Sequence, residues 1–98
     1  MDLTLDDILT PSKDVVSRLI GDDFILVPLL AGIGDLKAEL YTMNETGKAI
    51  WSRLDGERSL RTIAREMAEE FSTTPVVVEK DILRLMRELE KRKMVMVH

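Results

Sequence analysis

Four cations recur along one stretch near the C-terminus: Lys80, Arg84, Arg87 and Lys91, at i, i+4, i+7 and i+11. At about 100° per residue in a helix, they share one narrow face, opposite an apolar stripe of Val78, Ile82, Leu85, Met86 and Leu89. Such a row is either a solvated face partnered by nearby Asp and Glu or a docking face for an acidic partner. Val76 and Leu83, seven residues apart, flank the row off the main stripe. Two apolar side chains on that flank either line the side of a groove or pack at the edge of the core. On the docking reading this is the chemistry of recognition, and groups suited to catalysis are scarce. The one histidine, His98, is the last residue, so a Ser-His or Cys-His system has no base. There is no cysteine, which removes thiolates, disulfides and Cys-ligated zinc. "GDD" (21–23) sits between two strand patterns and reads as a hairpin turn, not a metal loop. "GIGDL" (32–36) lacks the Gly-Lys-Ser/Thr ending of a phosphate loop. The single tryptophan, Trp51, lies on an apolar helical stripe and reads as core, and the six methionines read as core fillers. The expectation is a protein that is not an enzyme and carries no metal or cofactor.

The bulk numbers fit that reading. Ninety-eight residues, 45% hydrophobic and 33% charged, suit one soluble globular domain. Fourteen basic residues against eighteen acidic give a net charge of −4, which leans against nucleic acid as a partner. No apolar run reaches the 18 residues of a membrane span. The N-terminus, "MDLTLDDILT", lacks the positive start and apolar core of a signal peptide. A cytoplasmic protein with no membrane partner is expected.

The elements that must position these residues follow from periodicity and caps. Residues 1–14, acidic and containing Pro11, are expected to form a flexible arm, with a single domain over 15–98. Val15 and Val16 open a first strand, Gly21-Asp22-Asp23 makes the turn, and Phe24 to Val27 form a second strand. "LLAGIGDL" is a loop with two glycines, and "KAELYTM" is a third strand. That strand runs directly into a helix, because Asn44 can serve as its N-cap and Glu45 suits the positive end of the helix dipole. Gly47, Ile50, Trp51 and Leu54 make the buried stripe, and Gly56 of "DG" is a candidate for the left-handed residue that ends the helix. Ser59 caps a second helix with an apolar face of Leu60, Ile63, Ala64, Met67 and Phe71. Thr74 and Pro75 start a third, which runs to about Arg92. "MVMV" (94–97) is a final short strand or extended tail. Three helices with a tight second turn and a terminal strand also describe a winged helix. If the third strand is a sheet edge, its free N–H and C=O groups can pair with an added strand beside the third helix.

The run "LYTMNETGKAIWSRLDGERSLRTIAREMAEEF" resembles the PqqD-like family. The matching residues are Met43, Asn44, Glu45, Gly47, Ile50, Trp51, Leu54, Asp55, Gly56 and Arg58. "VEKDILRLMRELEKRKMV" is similar to the family's closing helix and "FILVPL" to its second strand, so the likeness spans about residues 14–97. The strand connection "LLAGIGDLKAE" is longer than the short Pro-Glu-Gly turn of the quinone-cofactor members, and Met43 stands where they usually have Leu.

That resemblance implies an α+β fold, a three-stranded antiparallel sheet packed on a three-helix winged-helix-like bundle. It implies a recognition element that binds the leader of a ribosomally made precursor peptide by β-strand addition. The peptide is then presented to a modifying enzyme, often a radical S-adenosylmethionine enzyme. Carried over by location, the peptide-binding residues are Glu39, Leu40, Tyr41 and Thr42 on the strand, with Val76, Lys80, Leu83, Arg84 and Arg87 on the helix. The basic members would suit an acidic or amphipathic leader. The likeness also admits a homodimer formed through strands, with "LLAGIG" taking part. Two other readings stay open at this point. One is a winged-helix DNA-binding transcriptional regulator, with the third helix meeting phosphates. The other is a structural subunit that only stabilises a partner enzyme.

Overall fold

A computed structural model describes residues 3–29 and 40–98. Strand β2 (Val15–Ile20) pairs antiparallel with β3 (Asp23–Pro28), and β3 pairs antiparallel with β4 (Tyr41–Met43). Gly21, at φ +62°, opens the two-residue hairpin loop, the left-handed position that a type II′ turn gives to glycine. Three helices follow: α1 (Glu45–Trp51), α2 (Leu60–Glu70) and α3 (Pro75–Lys91). The α+β architecture of a three-stranded antiparallel sheet with three helices is as expected.

The start of each helix is set locally. Asn44 Oδ1 accepts the Gly47 N–H at 2.8 Å, so β4 passes into α1 through its cap alone. Ser59 Oγ does the same for Thr62 N–H at 3.2 Å. Thr74 precedes Pro75 without a side-chain cap bond, and the proline's fixed φ and missing N–H suit the first turn of α3. The ends are less regular. Helix α1 stops at Trp51, with Leu54 buried beyond it in a tighter turn. Gly56 does have a positive φ, +76°, but it lies four residues past the Ser52 C-cap and turns the chain toward α2 instead of ending α1. Phe71 is the C-cap of α2 and is 42% exposed, so Ala68 takes the place in the core that periodicity gave to Phe71.

The N-terminal segment departs most from the sequence reading. Strand β1 (Leu9–Pro11) pairs antiparallel with β5 (Val95–Val97) in a second, two-stranded sheet. Leu3 and Leu9 are buried in the core. The first N–H groups of α2, which have no partner inside the helix, donate outward: Leu60 to Asp7 O at 3.0 Å and Arg61 to Leu5 O at 2.9 Å. Residues 3–11, read from sequence as part of a flexible arm, are therefore docked, because they supply both apolar cover and the acceptors that the α2 terminus lacks. His98 likewise extends the ladder, its N–H donating to Ile8 O at 2.7 Å.

The core joins both sheets to the helices: Leu9, Leu26, Ile50, Leu60, Ile63, Met67, Ile82, Met86, Leu89 and Met94 are the largest fully enclosed side chains.

Candidate functional site

Strand β4 is the edge of its sheet: in the order β2-β3-β4 it pairs on one side only among the described residues. The other side of β4 borders a groove of about 480 Å³ between the strand, the first turn of α1 and one flank of α3. The floor is apolar. Met43 and Ile50 are buried there, Leu85 is half-buried, and Gly47 keeps the space clear. A Cβ on Gly47 would lie 3.2 Å from Met43 Cβ, so the glycine is what lets α1 start this close to the strand. The rim is polar, with Thr42, Asn44 and Thr46 on the strand side and Asp81, Arg84 and Glu88 on the α3 side.

One end of the groove is fixed by Arg92. Its guanidinium sits 5.0 Å from the centre of the Tyr41 ring and its Nε donates to Glu88 Oε1 at 3.0 Å. The contact joins a cation–π attraction to an ion pair one helical turn apart. At the strand's opposite end, the Lys48 ammonium lies 5.8 Å from the Phe24 ring.

Of the nine residues singled out from sequence, the structure brings three to this groove: Tyr41, Thr42 and Arg84. Leu40 is 55% exposed immediately before β4. Glu39 lies outside the described residues. Lys80, Leu83 and Arg87 lie instead with Arg84, Glu88 and Lys91 along the outer surface of α3, a shallow face made by that helix alone. Val76 is 59% exposed at the N-terminal end of α3 and borders neither surface. The reason is angular. Val78, Ile82, Met86 and Leu89 face the core, and at about 100° per residue the basic row points directly away from it. The groove lies a quarter turn to one side, where Asp81, Leu85, Glu88 and Arg92 follow at i, i+4, i+7 and i+11. The apolar Val76 and Leu83 point from sequence to the opposite flank, and periodicity places Leu85 wholly in the core. The i, i+4, i+7 pattern of Asp81, Leu85 and Glu88 was visible, but periodicity does not say which flank of a stripe meets a strand.

The residues that carry the family resemblance after Trp51 build the scaffold and not the groove. Asp55 Oδ1 accepts the N–H groups of Arg58 at 3.0 Å and Glu57 at 2.9 Å, and Asp55 Oδ2 pairs with Arg58 Nε at 3.0 Å. These bonds hold the Asp55 carboxyl below its usual pKa, the Arg58 N–H contributing most. Arg58 also reaches Glu66 at 2.7 Å, and Arg53 pairs with Glu66 and Glu70, tying the α1–α2 connection to α2. Among the described residues, no cluster of three or more His, Asp or Glu is placed to hold a metal ion. None of their helices is long and apolar enough to cross a membrane.

Comparison with known proteins agrees with this fold. A family model described as coenzyme PQQ synthesis protein D (PqqD) matches residues 34–95. Among solved structures, TbiB1 in complex with the TbiA(beta) leader peptide superposes with a TM-score of 0.71 at 24% identity, over 88% of this chain and 93% of that one. The solution NMR structure of the PqqD truncation of Methylobacterium extorquens PqqCD is described as a functional, stand-alone recognition element for ribosomally synthesized and post-translationally modified peptides. It gives a TM-score of 0.77 at 16% identity, over 96% of this chain and 94% of that one. At these identities the two structures establish the fold. No curated protein matches the sequence.

Proposed function

The chain belongs to the PqqD family, and from that premise we propose that it captures the leader of a ribosomally made precursor peptide and presents it to a separate modifying enzyme. The observation that carries the reading is the edge of β4, unpaired among the described residues, beside a groove with an apolar floor. A peptide laid along β4 extends the sheet by one strand and turns alternate side chains toward α3. TbiB1, which shares the fold, is a leader-peptide complex, and the Methylobacterium extorquens relative is a recognition element.

Magnitudes decide what the groove must supply. Three residues of edge offer about two to four backbone hydrogen bonds, each worth ~0.5–1.5 kcal/mol net. Micromolar binding needs ~8 kcal/mol. Strand pairing alone falls short, and burying one or two large apolar side chains at ~1.5–3 kcal/mol each makes up the difference. The floor of Met43, Ile50 and Leu85 is where that burial takes place. In this role the chain does no catalysis, works in the cytoplasm and leaves the chemistry to its partner, a radical S-adenosylmethionine enzyme. Pairing of two copies through strands is part of the same proposal, and light scattering on the purified protein checks it.

The test is a titration of isotope-labelled protein with the short peptide encoded beside its gene, with a DNA duplex in parallel. Amide shifts confined to residues 40–47 and 81–92 are expected with the peptide and none with DNA. Silence with the peptide, or shifts only with DNA along the outer face of α3, overturns the reading.

A further inference from the structure

The charged side chains of the α3 rim differ in how they are satisfied. Glu88 is paired with Arg92 at 3.0 Å, and Arg92 is in turn stacked on Tyr41. Asp81 and Arg84 both border the groove and are exposed, and neither has an ion-pair partner among the described residues. Arg84 lies at the outer lip, toward the basic row, whereas Asp81 is in line with Leu85 along the wall itself. The carboxylate that remains open to an incoming strand is therefore that of Asp81.

Its spacing from the apolar floor matches a strand. Asp81 and Leu85 are one turn apart, about 6 Å along the α3 axis at 1.5 Å per residue. Side chains on one face of a strand repeat every two residues, about 6.6–6.8 Å. A strand added at β4 that runs along the α3 axis and places one side chain over Leu85 would place another opposite Asp81. Resting on the peptide-binding reading above, we infer that the groove selects a segment in which an aliphatic side chain and a lysine or arginine are separated by one residue. The aliphatic group covers Leu85, and the cation meets Asp81. Lys80 and Arg87, which together with Arg84 suit an acidic or amphipathic leader from sequence, lie on the outer face of α3 and do not set this preference.

A random-peptide display selection against the folded full chain tests this, run in parallel on the wild type and on Asp81→Lys. The wild type is expected to enrich aliphatic residues with Lys or Arg two positions away, at least tenfold over Asp or Glu at that position. Asp81→Lys should invert the sign, enriching Asp or Glu there while keeping the aliphatic residue. Synthetic peptides of the two kinds, titrated into both proteins, should show the crossed preference. Enrichment of aliphatic strands without a charge preference, or the same preference in both proteins, overturns this inference and leaves peptide capture standing. Enrichment of no peptide by a wild type with an intact fold overturns both.

Discussion

Asp55 and Gly56 show how much of the family-like sequence is spent on one turn. The Asp55 carboxyl accepts two backbone N–H groups and an arginine, and its pKa is lowered as a result. A carboxylate with a depressed folded pKa adds stability that is fully present above its unfolded pKa and is lost as pH falls through the folded value. Asp55→Asn should therefore lower the urea midpoint at neutral pH and flatten the acid limb of the stability profile below about pH 4. Gly56 is held at φ +76°, and a Cβ there would approach Thr10 Cγ2 to 2.8 Å. Gly56→Ala should cost ~1–2 kcal/mol for the left-handed backbone, plus the contact with β1. Adding Thr10→Ser, which removes that methyl group, should recover the second part and leave the first, as denaturant titration of the double mutant would show. Side-chain roles of this kind were only partly legible in the sequence. The positive φ of Gly56 was read correctly from "DG", but its purpose, a close approach to residue 10, depends on a contact between segments 46 residues apart.

Capping is local chemistry, and so Asn44, Ser59 and the Thr74-Pro75 pair mark the helix starts in the sequence and in the structure alike. Strands β1 and β5 are three residues each and pair across more than eighty residues of chain. No short-range pattern announces such a pairing, which is why residues 1–14 read as an arm. Leu9, fully enclosed between that sheet and the helices, is the residue to test. Leu9→Ala should destabilise the protein by ~2–5 kcal/mol, where an undocked arm would tolerate the change. The C-terminal end of α3 offers a test of opposite sign. Lys93 adopts φ +60° in a Schellman-type end, with Lys93 N–H donating to Glu90 O and Met94 N–H to Leu89 O, each at 2.9 Å. Lys93→Gly releases ~1–2 kcal/mol of left-handed strain against ~0.5–1 kcal/mol of added backbone entropy. A rise in the thermal midpoint is expected.

At the scale of the whole molecule, α3 presents three faces: the core stripe, the groove wall and the outer basic row. Only the first was unambiguous in the sequence, because burial leaves a periodic apolar signature and orientation toward a neighbouring strand leaves none. The division predicts that Arg87→Glu with Lys91→Glu changes peptide affinity by less than about twofold in calorimetry, apart from long-range screening effects. Leu85→Asp, on the groove floor, should abolish binding while the circular dichroism spectrum is retained. The direct hand-over from β4 to α1 has a consequence of its own. Asn44 belongs to the groove rim and to the cap of a seven-residue helix, a length that does not hold itself together in water. Occupancy of the groove and fraying of α1 are then a single thermodynamic cycle, and coupling in such a cycle is reciprocal. A bound strand should slow hydrogen exchange at the first amides of α1. In return, Asn44→Ala, which costs ~1 kcal/mol of cap, should loosen the peptide by up to about fivefold without removing a floor contact. The protein would thus register its cargo in the breathing rate of its shortest helix.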